Sequence, residues 1–274
     1  MKVLAILAAY NEERFLAGLI EHLRAHGVGV HLIDNGSTDA TGRIARGYLG
    51  NGVVAIEDFP RDGSYRWDSI LARKAALASS ADADWVMHVD ADEIHLPPSG
   101  RGTLAEAFQR AEDEGYNAVN FQEFTFLPTA EEPDHDHPRF RETMRRYYPF
   151  CPFSPHLVRA WKRQPEPVSL AESGGHQVSF PEQRIYPERF PMLHYLLLGA
   201  RHLTEKYAER RYDPSEVARG WHGWRARVRP GLLRLPPDSE LRPFTSVEEL
   251  DASSPRLRHY LDELYGVPPP DVTS

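Results

Sequence analysis

Four short apolar runs, each closing on a polar turn and three of them leading into a stretch of helical periodicity, restrict this chain to few folds. Residues 3–9, Val-Leu-Ala-Ile-Leu-Ala-Ala, read as a buried strand, and Tyr10-Asn11-Glu12-Glu13 opens the next element. Asn11 suits a helix N-cap, and the two glutamates suit the positive end of a helix dipole. Phe15, Leu16, Leu19, Ile20 and Leu23 then share one helical face, the spacing expected for packing on a sheet. Residues 30–33 form a second run, ended by Asp34-Asn35-Gly36-Ser37-Thr38-Asp39 and followed by a helix that carries Ile44 and Tyr48. Residues 53–56 give a third strand, 69–78 a helix, and 85–89, Trp-Val-Met-His-Val, a fourth strand. Strands alternating with helices in this way call for a parallel, doubly wound sheet.

The fourth run stops on Asp90-Ala91-Asp92-Glu93. In an open α/β sheet ligands lie beyond the carboxyl ends of the strands, so carboxylates at this point are aimed into the ligand crevice. Two carboxylates are too few to cage Mg²⁺ or Mn²⁺, but such ions take one or two and complete their shell with water and phosphate oxygens. Asp90 and Asp92 are therefore expected to bind a divalent metal that carries a diphosphate. The plain alternative is an acidic turn facing solvent, because Asp-x-Asp is short and common.

A first strand ending in Asn-Glu, a second ending in Asp-Asn-Gly-Ser-Thr-Asp and a later one ending in Asp-Ala-Asp-Glu together resemble the family-2 glycosyltransferases of the GT-A fold. The ordered trio spans residues 3–93. Beyond about residue 125 only Gly174-Gly175-His176, and His194-Tyr195 followed by Lys206, are similar to one branch of that family. The resemblance implies a GT-A-like, doubly wound mixed α/β sheet with a helical C-terminal extension. It also implies inverting transfer of a sugar from a nucleotide diphosphate donor, assisted by Mn²⁺ or Mg²⁺. Asp92 is then the direct metal ligand and Asp90 lies nearer the ribose and the water shell.

Within that resemblance His194 is expected as a third metal ligand, since neutral imidazole suits ions such as Mn²⁺; a structural histidine is the competing reading. Glu93 positions the donor sugar or a ligated water, or simply begins the next element. Arg73 and Lys206 are candidates to neutralise phosphate oxygens. Ala9, Tyr10, Glu12, Asp34, Asn35 and Ala91 are expected along the nucleotide, with Asp34 accepting a hydrogen bond from a base N–H. Asn35 stands where the commonest pattern has a second carboxylate. An amide both donates and accepts, so UDP, dTDP and GDP donors all stay open. Ser37, Thr38 and Asp39 are expected to cap the following helix. Inversion needs a base for the acceptor hydroxyl. Glu166, Glu172 and His176 are candidates, and Glu172 and His176 have the better neighbourhood because Gly174 and Gly175 allow close backbone approach to a ligand.

At 274 residues and 41% hydrophobic side chains the chain can bury one core, or one core with an appendage. A formal charge of −8 argues against an extended nucleic-acid surface. No apolar run reaches about 18 residues, and the amino terminus reads as a strand instead of a signal peptide, so cytoplasm is expected. Cys151 is a lone cysteine. Residues 1–126 read as the nucleotide-sugar half of one domain, 127–212 as its acceptor-binding and metal-completing half, and 213–274 as a helical tail rich in Arg and Pro. The Pro-punctuated stretch 127–192 fits a functional loop region. Its Asp134-His135-Asp136-His137 run reads as a solvated loop in preference to a second metal site, and 196–211 read as helical. A sugar-phosphate nucleotidyltransferase would want a Gly-rich basic loop after the first strand, where Ala8-Ala9-Tyr10-Asn11-Glu12-Glu13 stands instead. A phosphatase with an aspartyl nucleophile would carry Asp-x-Asp at the start of the fold. A non-catalytic nucleotide-sugar binding protein would keep the Asp34 region and lose the metal motif. The sugar, the acceptor and the oligomeric state stay open.

Overall fold

The computed structural model describes residues 1–98 and 102–266. The chain forms two compact units. The first takes Met1–Asp62, Arg66–Glu123 and Pro155–His194; the second takes Gly63–Tyr65, Phe124–Ser154 and the residues from Tyr195 on. The expected boundary after residue 126 falls three residues beyond the Arg66–Glu123 segment.

In the first unit β1 (Val3–Ala9), α1 (Leu16–Ala25), β2 (Val28–Asp34), α2 (Thr41–Gly47), β3 (Val53–Asp58), α3 (Trp67–Ser80) and β4 (Trp85–Val89) alternate as the sequence suggests. β5 (Glu93–His95), α4 (Leu104–Asp113), β6 (Ala118–Phe126), β8 (Leu157–Lys162) and β9 (Phe190–Tyr195) follow, and β7 (Arg146–Phe150) belongs to the second unit. The strand order is β6-β8-β4-β1-β2-β3. β1 runs parallel to β2 and β4, and β2 parallel to β3, whereas β8 inserts antiparallel between β4 and β6. The sheet is thus mixed. The connections through α1 and α2 step one way along it and the α3 connection returns past β1, so right-handed crossovers put α3 on the face opposite α1 and α2. Leu71, Leu77 and Ala78 of α3 bury against Ile6, Ile33, Val86, Val158 and Trp161. Leu16, Leu19, Ile20 and Leu23 of α1 are fully buried, as their spacing requires.

One expectation fails locally. Asn11 does not cap α1, which begins at Leu16 after Phe15 and has no side-chain cap. Asn11 instead adopts φ +57°, the left-handed region that asparagine tolerates better than most residues. Its side chain is spent across the loop, as described below.

In the second unit β7 pairs antiparallel with β10 (Arg242–Pro243), and Leu127, Tyr148, Phe150, Leu197, Leu203, Tyr207, Trp224 and Leu261 form the core. Within the expected helical run 196–211, Ala200–Leu203 is α-helical and Thr204–Ala208 is π-helical. The tail contributes only short helices, Pro214–Ala218 and Tyr260–Leu264, with 3₁₀ turns between them; residues 267–274 lie outside the described residues. The His135–His137 loop is structural in kind. His135 Nδ1 and His137 Nε2 lie 2.8 and 3.2 Å from the one Thr143 hydroxyl. Among the described residues no helix is long and apolar enough to cross a membrane.

Candidate active site

Two strand ends of the first unit carry the residues singled out above. At the end of β2, Asp34 lies beside Ala9 in the register of β1 and β2, and Asn35 N–H donates to the Ala9 carbonyl at 2.8 Å. Asp34 Oδ1 accepts from Ser37 N–H at 2.8 Å, closing the turn that Gly36 permits at φ +77°. Asn35 donates its amide to the Phe59 carbonyl at 2.8 Å. That leaves its buried Oδ1 without a hydrogen-bond partner among the described residues. Asn11 Oδ1 accepts from Thr38 N–H at 2.8 Å and its Nδ2 donates to the Thr38 hydroxyl at 3.3 Å. Glu12 N–H donates to the Thr41 hydroxyl at 2.8 Å, and Glu13 N–H to Asp39 at 3.1 Å. None of the three residues expected to cap α2 is its N-cap, which is Ala40 with no side-chain cap; Asp39 accepts from Thr41 N–H at 2.9 Å just ahead of the helix, and Ser37 and Thr38 bind Asn11. The loops after β1 and β2 therefore brace each other with hydrogen bonds from backbone and amide groups, two of them to the carboxylates of Asp39 and Glu13. Tyr10 packs against the Arg61 guanidinium, 3.9 Å from its ring centroid.

The end of β4 is built from charge. Asp90 follows the strand, Ala91 and Asp92 are buried, and Glu93 begins β5 and returns Oε2 to Asp90 N–H at 3.2 Å. Antiparallel pairing of β5 with β9 sets Glu93 beside His194. His194 Nδ1 meets Glu123 of β6 at 2.7 Å, and its Nε2 lies 3.4 Å from Asp92 Oδ2. Arg159 of β8 donates to Glu93 at 2.5 Å and to Asp90 at 3.4 Å. From α3 comes Lys74, whose side chain is 1% exposed; its Nζ is 3.1 Å from the Val89 carbonyl, 3.5 Å from His88 Nε2 and 3.8 Å from Asp90 Oδ1. Among the described residues no group of three or more His, Cys, Asp or Glu side chains is arranged to hold a metal ion.

The titrations follow from this crowding. Burial disfavours ionisation of Asp90, but hydrogen bonding from His88 and the charges of Lys74 and Arg159 override it and hold the carboxyl well below its ordinary value. Burial pushes Glu93 up to about 7, with Arg159 opposing and Asp90 assisting. Burial acts against the imidazolium of His194, yet Glu123 and Asp92 flank the ring and raise it well above 6.5. Burial lowers Lys74 to about 8 and His88 to about 3.

Over residues 6–153, just over half of the chain, the sequence matches the model of glycosyltransferase family 92. The chain belongs to that family. No curated protein matches it in sequence. Among solved structures it is similar to S. aureus TarS, with TM-score 0.40 and 13% identity over 76% of this chain and 39% of that one. It is also similar to TarS 1-349 in complex with UDP (0.42, 12%, 74% and 66%) and to the glycosyltransferase GlyE of Streptococcus pneumoniae TIGR4 (0.28, 19%, 46% and 30%). The chain thus spans 39% of the first TarS structure and 66% of the second.

In this family-92 chain the strand-end residues Asp90, Asp92, Glu93 and His194 converge, and Asp34, Asn35, Ala9 and Glu12 form the neighbouring loop pair. Other expected members stand elsewhere. Arg73 makes a bidentate pair with Glu57 of β3, both bonds at 2.7 Å, so its charge is already committed. Lys206 belongs to the second unit, on the π-helical turn, with Nζ 5.7 Å from the Tyr207 ring centroid. Glu166, Glu172 and His176 are exposed. The Gly174-Gly175 pair serves packing: Trp67 Nε1 donates to the Gly174 carbonyl at 2.7 Å. A Cβ on Gly175 would lie 3.0 Å from Trp67 and Leu71 and 3.2 Å from His88. The next residue, His176, stacks on buried His156 with ring centroids 5.1 Å apart.

Lys74, Arg159 and Glu123 escape the sequence reading although each leaves a trace. Lys74 interrupts the apolar face Ile70, Leu71, Leu77 and Ala78, Arg159 sits inside Leu157-Val158-Ala160-Trp161, and Glu123 lies between Phe121 and Phe124. A lone charge in an apolar run must be paired when buried, and the partner is what periodicity does not name.

Proposed function

We propose that this chain transfers a sugar, with inversion, from a nucleotide diphosphate donor to an acceptor hydroxyl, using Mn²⁺ or Mg²⁺ at Asp92 and His194. The observation that carries the reading is the setting of His194. Its Nδ1 is engaged by Glu123 while Nε2 faces Asp92, the arrangement by which a carboxylate orients an imidazole toward a metal. Charge bears on it as well. Arg159 pairs with Glu93 and Lys74 faces Asp90, while Asp92 and Glu123 flank His194 and favour its proton, the charge that a divalent ion at Nε2 would replace. Two protein ligands are normal for such ions when water and phosphate oxygens complete the shell. When bound, the ion would stabilise the charge that gathers on the departing diphosphate.

The remaining work falls to the chain. Asp34 accepts from the base and Asp90 from a ribose hydroxyl, each with a second oxygen already anchored. Glu93, tied to Arg159 and to Asp90 N–H, fixes the turn that aims Asp90 and Asp92. Glu172 and His176 stay the candidates for the base, which takes the acceptor proton as the acceptor oxygen bonds to the anomeric carbon and the diphosphate leaves with the bonding pair. The enzyme works where nucleotide sugars are made, in the cytoplasm. Kinship with family 2 belongs to the same reading.

The test is a donor panel, UDP-sugars first, with Mn²⁺ and a range of acceptor hydroxyls. Release of nucleoside diphosphate with a β-linked product from an α-linked donor supports the reading. Pyrophosphate exchange would make the chain a nucleotidyltransferase, and binding without turnover would make it a nucleotide-sugar binding protein.

A further inference from the structure

Residues 217–237 carry Arg219, Arg225, Arg227, Arg229 and Arg234, two tryptophans and no acid, in a chain whose formal charge is −8. Residues 143–165 are likewise basic and free of acids, but cations there are paired within the fold: Arg146 with Asp238, Arg159 with Glu93 and Lys162 with Glu112. In 217–237 the arginines lie at the surface. Arg219, Arg227, Arg229 and Arg234 are exposed, and Arg227 reaches the Gly266 carbonyl at 2.8 Å.

The centre of the stretch is a fixed turn. Leu232 N–H donates to the Arg229 carbonyl at 3.3 Å, Pro230 and Gly231 hold the two corners, and Gly231 has φ +79°, the signature of a type II turn. Proline presets the first corner and glycine takes the left-handed second one without strain. The turn stands clear of the surface: a Cβ on Gly231 would meet nothing within 4 Å. Both of its flanks are anchored. Val228 is buried in the core of the second unit, and Leu233 and Leu235 pack against that core from the other side. Between these anchors Leu232 is 54% exposed, with exposed Arg229 and Arg234 on either side of it in the chain. A scattered surface leucine needs no explanation. This one sits on an anchored, protruding turn in a strip of one sign of charge.

We propose that the Arg229–Arg234 turn docks the second unit on an anionic phospholipid surface, with Leu232 entering the boundary between headgroups and acyl chains and the arginines meeting lipid phosphates. An interfacial segment needs both parts, apolar area to bury and positive charge to draw it to the bilayer. Nucleic acid or an acidic polysaccharide would engage the arginines and leave Leu232 in water, so the leucine favours a lipid partner. Docking of this kind needs no spanning helix, and it stands apart from the sugar-transfer reading.

Co-sedimentation of the full chain with lipid vesicles tests this, with thermal melts on every variant. The parent should pellet with vesicles of mixed phosphatidylcholine and phosphatidylglycerol, stay in solution with phosphatidylcholine alone, and bind less as salt rises. Arg229→Gln combined with Arg234→Gln should weaken binding by about twentyfold, since each arginine near an anionic leaflet is worth about fivefold. Leu232→Ser should weaken it by about tenfold and Leu232→Phe should tighten it, because apolar area is removed or added without a change of charge. Leu49→Ser, at a comparably exposed leucine of the first unit (56%), should behave as the parent. Should Leu232→Ser not fold, Leu232→Phe and the paired arginine change still decide. A parent that stays in solution with the anionic vesicles, or binding that the arginine and leucine changes leave intact, overturns the proposal. So does binding to soluble heparin as tight as to vesicles and indifferent to Leu232, which would make the strip a site for polyanions in solution.

Discussion

The ends of β2 and β4 present the same device, an aspartate at the carboxyl end of a parallel strand, and hold it by different means. Around Asp34 the loops are tied by hydrogen bonds; the partners are Ser37 N–H, the Phe59 carbonyl taken by Asn35, the Asn11 amide that ties the first loop to the second, and the Asp39 and Glu13 carboxylates that accept backbone N–H groups. Around Asp90 and Asp92 the partners are charged and come from α3, β6, β8 and β9. A loop braced by hydrogen bonds keeps its shape with or without a ligand. A loop braced by buried ions depends on its charge balance, and each charge deleted there leaves another uncompensated. In the proposed function the β2 end recognises the nucleoside and the β4 end serves the chemistry that moves charge.

The sharpest way to break this contrast is to remove Arg159. With Arg159→Met, Glu93 and Asp90 lose their shared guanidinium in a region where Glu93 is 2% exposed. Leaving a buried partner unpaired typically costs about 3–5 kcal/mol, and chemical denaturation should read a loss of that size. Asn11→Ala, which cuts the corresponding brace at the β2 end, should cost only about 1 kcal/mol, the value of ordinary hydrogen bonds. Equal losses would mean that the two ends are held alike.

Next in size is metal affinity. Asp92→Asn should lower Mn²⁺ affinity by more than the roughly 10–100-fold expected of Glu123→Gln, which only mis-sets the imidazole. Asp34→Asn should leave it unchanged. Loss of Mn²⁺ binding on changing Asp34, or none on changing Asp92, would reverse the roles given to the two strand ends.

The same contrast explains what could be seen in the sequence. The alternation of β1 to β4 with α1 to α3 follows from apolar spacing within single segments, and so does the placing of Asp34 and Asp90 at strand ends. The antiparallel β8 was not legible, because its place between β4 and β6 depends on pairing across some seventy residues, as Met87 with Ala160 shows. For the same reason the motif Asp90-Ala91-Asp92-Glu93 could be read while its counter-ions could not. Lys74 and Arg159 are ordinary cations until the fold brings them to Asp90. Asn11 departs from the capping expectation for a local reason: its side chain suits a cap and a left-handed turn equally, and the neighbouring loop takes it.

A smaller effect probes recognition. Asp34→Asn keeps an oxygen for Ser37 N–H but loses the anionic acceptor, so nucleoside diphosphate affinity in the presence of Mn²⁺ should fall by about 1.5–3 kcal/mol. Calorimetry with UDP, dTDP and GDP reads it. A drop for one base and not the others would identify the donor, and no drop for any would leave Asp34 as a turn residue only.

The gentlest probe is pH, and its sign distinguishes the two ends. Glu93, pushed up to about 7, and His194, raised well above 6.5, both hold protons in the fold that the unfolded chain has released. These two groups therefore take stability away as pH rises: Glu93's contribution, complete below about 4.5, is lost through about 7, and that of His194, complete below about 6.5, is lost through its raised value, whereas His88, His95 and His156, held neutral by burial, act in the opposite sense as pH falls through about 6.5. Asp90, held low, acts in the opposite sense, but only as pH falls below its ordinary value near 3.8. Metal binding needs His194 neutral, so Mn²⁺ affinity should weaken as pH drops, with a midpoint above 6.5. Relative to a variant carrying His194→Ala and Glu93→Gln, the metal-free protein should lose melting temperature from pH 5 to 8, by about 2–4 °C for each kcal/mol lost, and saturating Mn²⁺ should shrink that difference. The same pH dependence in both proteins would place the titrating groups elsewhere and detach the titration at the β4 end from the metal.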